Sequence, residues 1–231
     1  MPFLILLRPT PWQPWLCRLY FKIWSALIGI ESRIIGGSLA DKDRLLLVCN
    51  HLSYLDIFAL GRLFEINFVA KDDIIKWPLL GLLARLGNTV FISRERQKAR
   101  GQVDILSRAF DRRRIPLLVF PEGTSGNGEG VLPFKSSLFS MIEGRKDIAV
   151  QPMALAYTHS GARRLSREER AAYPWFIKEQ TLAQHFGKLR SRLPARASVI
   201  IGEPIDFGGC AGRKEMAAKA RDAVDGLYSK L

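Results

Sequence analysis

The sequence predicts an α/β fold: a mixed, largely parallel sheet flanked by helices and preceded by an amphipathic N-terminal helix. Three observations lead there. Short apolar runs alternate with helical patterns along most of the chain, as expected when helices cover the faces of a sheet. The 231 residues, 48% apolar and 25% charged, have the length and composition of one globular domain with a sizeable core. The first predicted helix, from Pro14 to Ile30, is apolar except for a narrow polar stripe.

That stripe consists of Arg18, Lys22, Ser25 and Gly29, spaced by four, three and four residues. A wide apolar face carrying Trp15, Tyr20, Phe21 and Trp24 beside two cations suits a helix lying in a membrane interface, which is favoured over a helix packed on its own domain. The segment is too short and too charged to read as a span. Residues 1–36 are therefore expected to form a helical membrane-associating segment, and 37–231 a single α/β domain. The opening "MPFLILLRPTP" lacks a basic start and a small-residue cleavage site, so no signal peptide is expected.

After "GGS" at 36–38, the candidate strands are "LLLVC" at 45–49, "INFVA" at 66–70, "TVFIS" at 89–93 and "PLLVF" at 116–120. "IAVQPMALAY" and "SVIIGE" supply two more. Between the third and fourth, Ala99, Val103, Leu106 and Phe110 predict a surface helix. Met216, Ala220, Val224 and Leu227 predict a closing amphipathic helix over 213–231, and "GTSGNGEG" reads as a loop.

A formal charge of +13 calls for anionic partners. No zinc-finger spacing or RNA-recognition aromatic pattern accompanies it, so nucleic acid is not expected; anionic lipid headgroups or an acidic carrier are. The three dispersed cysteines, Cys17, Cys49 and Cys210, suggest neither a disulfide frame nor a metal site.

Ligands of open α/β sheets bind beyond the carboxyl ends of strands. "LLLVC" runs into Asn50 and His51, "TVFIS" into Arg94, and "PLLVF" into Pro121, Glu122, Gly123 and Thr124. His51 and Asp56 are five residues apart, about 500° on a helix, so they cannot pair on a helix face. If His51 ends the strand turn and Ser53 caps a helix, Asp56 falls in the first turn and folds back toward the imidazole. A carboxylate on one ring nitrogen fixes the tautomer and leaves the other to take a hydroxyl proton. Spacing alone leaves a second reading, in which both are plain turn and cap residues. Arg94 is either an anion clamp or a solvated cation, and Lys135 either a site cation or a helix-start lysine. Glu122 is either an acceptor of hydrogen bonds from a polar head or a loop carboxylate. No serine or cysteine stands out as a nucleophile.

"NHLSYLD", "VFISR", "FPEGTS" and "VQPMAL", in this order over about 45–156, resemble the four motif blocks of the 1-acylglycerol-3-phosphate (glycerolipid) acyltransferase family. The resemblance implies that His51 deprotonates an acceptor hydroxyl, that Asp56 orients it, and that the hydroxyl attacks the thioester of acyl-CoA or acyl-carrier protein. It places Arg94, Glu122, Gly123 and Thr124 at the acceptor site, where Asn50, Ser125 and Lys135 are further substrate-binding candidates. It implies no metal and no cofactor, and a lysolipid acceptor of the 1-acylglycerol-3-phosphate type at the cytoplasmic face of a bacterial inner membrane. One departure points elsewhere: phosphatidic-acid-forming members commonly read F-P-E-G-T-R, where the arginine holds phosphate, and this chain has Ser125. The run "FPEGTSGNGEGVLPFKSSLF" is instead similar to the lyso-ornithine lipid acyltransferase branch, whose acceptor carries no glycerol phosphate. A non-catalytic lipid-binding protein of the same fold is the remaining alternative.

Overall fold

A computed structural model describes residues 13–72, 75, 81, 84, 89–92, 108–110, 115–175, 181–205 and 207–231. Arg94, Arg112 to Arg114 and most of the expected surface helix at 99–110 lie outside the described residues.

Strands β1 (Ile30–Gly36), β2 (Leu45–Cys49), β3 (Asn67–Lys71), β4 (Val90–Ile92), β5 (Leu117–Val119), β6 (Ala149–Ser160), β7 (Arg163–Arg164) and β8 (Ala195–Ile201) form one sheet. Its order is β1-β8-β6-β2-β5-β3-β4, with β7 paired to β6. All neighbours run parallel except β6 with β8 and β6 with β7. The expected mixed, largely parallel sheet is therefore present.

Parallel strands with both faces covered must be apolar throughout, and β2 is: all five residues of "LLLVC" are buried. Its alternate residues serve two cores. Leu45, Leu47 and Cys49 meet helices α1 (Gln13–Ile28) and α2 (Leu55–Gly61) on one face, while Leu46 and Val48 meet helix α5 (Arg213–Tyr228) on the other. Met216, Ala217, Ala220 and Val224 are the buried side of α5, at the spacing read from the sequence. Two short helices, α3 (Arg167–Arg170) and α4 (Leu182–Leu189), follow β7, each opened by a capping box, at Ser166/Glu169 and Thr181/Gln184.

The N-terminal segment differs from expectation in two respects. Its helix stops at Ile28; a positive-φ Gly29 turns the chain, and Ile30–Gly36 becomes the edge strand of the sheet, parallel to β8. The expectation of a helical segment through residue 36 is corrected accordingly. The helix is also rotated from the orientation its stripe suggested. Cys17, Phe21 and Ser25 face the domain, Ser25 Oγ donating to the Phe58 carbonyl at 3.0 Å and Arg18 Nε to the Arg62 carbonyl at 3.3 Å. Polar side chains turn inward here because the Phe58 and Arg62 carbonyls, at and beyond the end of α2, are open to further donors from α1. The outward face is apolar: Leu16, Leu19, Ile23 and Leu27, joined by Trp15, are exposed, as are Ile34 and Ile35 of β1.

Candidate active site

The site grows from the carboxyl end of β2. Asn50 continues the ladder with its side chain, donating Nδ2–H to the Leu155 carbonyl at 2.9 Å and accepting the Leu155 N–H at 2.8 Å. The amide is thus buried and occupied by β6 rather than offered to a ligand.

His51 follows, and its backbone and ring are held on several sides. Its N–H donates to Glu122 Oε1 at 3.0 Å, and its carbonyl accepts the Gly126 N–H at 2.7 Å. The imidazole stacks on Phe120, centroids 4.2 Å apart and planes at 19°. Nδ1 lies 2.8 Å from Asp56 Oδ2. An ionised carboxylate only accepts, so Nδ1 carries the proton and Nε2 is left to receive one. The side chain is 21% exposed, enough to meet a ligand.

Asp56 reaches His51 through a modified version of the turn read from the sequence. Its Oδ2 accepts the Leu52 and Ser53 N–H groups at 2.7 and 2.9 Å, so the carboxylate folds back over its own entry loop. Ser53 does not close the box, because α2 begins at Leu55 and Ser53 Oγ faces the Leu55 N–H at 3.4 Å. Oδ1 accepts the Tyr157 hydroxyl at 2.8 Å. These four donors compensate a carboxylate with no exposed surface.

The "FPEGTS" loop folds over His51 from β5. Glu122 is 3% exposed, and burial pushes its carboxyl up to about 8, outweighing the lowering pull of the His51 N–H. It is an internal support of the His51 backbone. Gly123 takes φ +68°, and a Cβ there would lie 2.6 Å from Lys135 Nζ, so the Lys135 chain crosses this glycine and keeps its ammonium on the loop. Thr124 is exposed. Ser125 Oγ donates to the Trp175 carbonyl at 2.6 Å, and the Trp175 N–H donates to the Leu52 carbonyl at 2.9 Å. Trp175 thereby straps the two motif loops together.

Cys49 lies against Asn50 Oδ1 at 3.8 Å, and burial pushes its thiol well up, with the neighbouring carboxylates adding to it. Cys49 and Ser53 are fully buried, so neither has the exposure that a nucleophile needs. Among the described residues no group of three metal-ligating side chains is assembled. Sequence reasoning missed Phe120, Gly126, Tyr157 and Trp175. Tyr157 had a legible signal, since it continues the alternation of Met153 and Leu155 along the strand that pairs with β2.

Fold and site together define an α/β enzyme organised around a carboxylate–imidazole pair at the carboxyl edge of its sheet. The acyltransferase family profile matches residues 33–156, over half of the chain, and the chain belongs to that family. It is 34% identical over 220 residues to a lyso-ornithine lipid O-acyltransferase of Rhodobacter capsulatus, covering 93% of this chain and 76% of that one. It is 38% identical over 127 residues to a 1-acyl-sn-glycerol-3-phosphate acyltransferase of Neisseria gonorrhoeae, covering 53% of this chain and 48% of the relative. The crystal structure of the 1-acyl-sn-glycerophosphate acyltransferase PlsC from Thermotoga maritima matches its fold with a TM-score of 0.64 at 20% identity, over 94% of this chain and 78% of the other.

Proposed function

We propose that the chain moves a fatty acyl group from a thioester, acyl-CoA or acyl-carrier protein, to the hydroxyl of a lysolipid, with His51 as general base. The observation that carries this is the 2.8 Å contact of His51 Nδ1 with the buried Asp56 carboxylate, in a member of the acyltransferase family. His51 Nε2 takes the acceptor's hydroxyl proton while the oxygen attacks the thioester carbon. The tetrahedral intermediate then collapses, the C–S bond breaks, and the leaving thiolate takes the proton back from the imidazolium. The transfer is direct, without an acyl-enzyme, and the thioester supplies the driving force without metal or cofactor. Asn50 and Glu122 act by positioning His51, and Gly123 by letting Lys135 cross the loop. Lys135, Thr124 and Arg94 are assigned to the polar head of the acceptor.

An acceptor of the lyso-ornithine lipid type is favoured over a glycerol phosphate. The Rhodobacter relative aligns over nearly the whole chain, the Neisseria relative over about half. Ser125 occupies the place of a phosphate-holding arginine, and its hydroxyl is engaged by Trp175.

Membrane contact is assigned to the exposed ridge of α1, Leu16, Leu19, Ile23 and Leu27, with Lys22 beside it and Ile34 and Ile35 on the edge strand. No helix among the described residues is long and apolar enough to cross a membrane. With acyl-CoA or acyl-carrier protein as donor, the proposed location is the cytoplasmic face of the inner membrane.

The test is an acyl-transfer assay offering lyso-ornithine lipid and lysophosphatidic acid side by side with both donors. Preferential acylation of lyso-ornithine lipid is expected. Preference for lysophosphatidic acid overturns the acceptor assignment, and liposome binding without thioester consumption over a broad lysolipid panel overturns the catalytic one.

A further inference from the structure

The Asp56 carboxylate has two oxygens, and only one faces the imidazole. Oδ2 serves His51 and the two loop N–H groups, whereas among the described residues Oδ1 accepts a single hydrogen bond, from Tyr157 on β6. Tyr157 is buried, 101 residues from Asp56 in sequence, and its ring stacks on Tyr173 at 5.0 Å and 11°. The stack holds the ring plane and the β-strand holds its root, so the hydroxyl has a fixed direction. A carboxylate rotates about its last side-chain bond with little resistance unless both oxygens are fixed. The loop N–H groups fix one, and the tyrosine fixes the other.

We propose that Tyr157 is a positioning residue of the acyl-transfer reaction, locking the Asp56 carboxylate so that His51 keeps its Nδ1–H tautomer and presents Nε2 to the acceptor hydroxyl. The inference rests on the reading of His51 as base. Tyr157 touches no substrate; it acts through Asp56. The other titratable groups around the carboxylate are Cys49, Tyr54, Tyr173, Tyr228 and Glu122, and burial raises every one of them. The hydroxyl of Tyr157 itself is pushed well up by burial, with the Asp56 charge adding to it, so it remains a donor across the working pH range.

Removing this donor returns charge to the carboxylate, which favours the imidazolium and loosens its orientation. The experiment is the pH profile of kcat/KM for Tyr157→Phe, with the His51 ring titration followed by NMR, which three histidines in the chain make tractable. Expected are a loss in kcat of about 10- to 100-fold at little-changed KM, in line with the loss of a hydrogen bond to a charged group, and a move of both the acid limb and the His51 titration to higher pH. Site-specific 3-fluorotyrosine at 157 keeps the ring and strengthens the donor, and it moves both to lower pH. This second substitution serves if the phenylalanine variant does not fold. A tyrosine that only packs moves neither, and unmoved limbs and titrations in the folded variants overturn the inference. If His51→Ala retains turnover, the base reading fails instead, and the NMR titration still tests the Tyr157–Asp56–His51 linkage without any activity.

Discussion

His51 is held on four sides by groups that follow two strand ends, β2 and β5, and each has a separate part in the proposed reaction. Asp56 selects the tautomer, Phe120 sets the ring plane, and Glu122 and Gly126 pin the backbone. His51→Ala is expected to lower kcat by about 10²- to 10⁴-fold with the fold intact, measured as initial-rate thioester consumption alongside circular dichroism. Glu122 yields a pH prediction whose sign is fixed by linkage. Its folded carboxyl titrates near 8 against 4.5 when unfolded, so the folded state binds the extra proton between those values. Stability is then lost as pH rises from about 4.5 to about 8 and levels off above. Glu122→Gln keeps an oxygen for the His51 N–H and removes the titration, so its melting temperature is expected to rise relative to the parent as the pH of the scan goes from 5 to 8.

The elements carry the two motif loops and the strap between them. Ser125→Ala removes the hydroxyl that ties the loop after β5 to the Trp175 carbonyl. A destabilisation of about 0.5–1.5 kcal/mol is expected in urea unfolding, the net contribution of one such hydrogen bond. α1 docks through a narrow contact, since a Cβ on Gly61 of α2 would lie 2.4 Å from the Phe21 ring. Gly61→Ala is therefore expected to displace α1 and cost about 1–3 kcal/mol, seen as a lowered melting temperature. Strands with both faces buried were legible as apolar runs, β2 to the residue, and α5 by its spacing. β1 was not, because an edge strand with Glu31, Arg33, Ile34 and Ile35 all exposed shows no alternation and follows the helix without a polar break. The rotation of α1 was equally hidden, since the carbonyls that attract Ser25 and Arg18 belong to residues more than thirty positions away. In the site, the fold-back of Asp56 was legible from local turn chemistry. The partners of Asn50, Glu122 and Ser125 were not, because each is reached only when distant strand ends meet.

At the scale of the molecule, the proposed membrane contact draws on net charge and on apolar exposure together. The chain carries +13, and its exposed ridge on α1 has Ile23 51% and Leu27 71% exposed. Replacing Ile23 and Leu27 together by Glu is expected to weaken sedimentation with anionic liposomes at least tenfold, because both apolar burial and charge attraction fall. Raising the salt concentration on the parent protein is expected to weaken it as well.

The path of β1 has a practical consequence for anyone wishing to handle this enzyme free of detergent. Cutting the chain back past β1 to remove the exposed ridge of α1 would strip the outer strand from β8 and uncover a row of unpaired amides and carbonyls, inviting sheet-to-sheet aggregation. Solubility is better sought by recolouring the outer side of α1 with charged residues while leaving Cys17, Phe21 and Ser25 untouched.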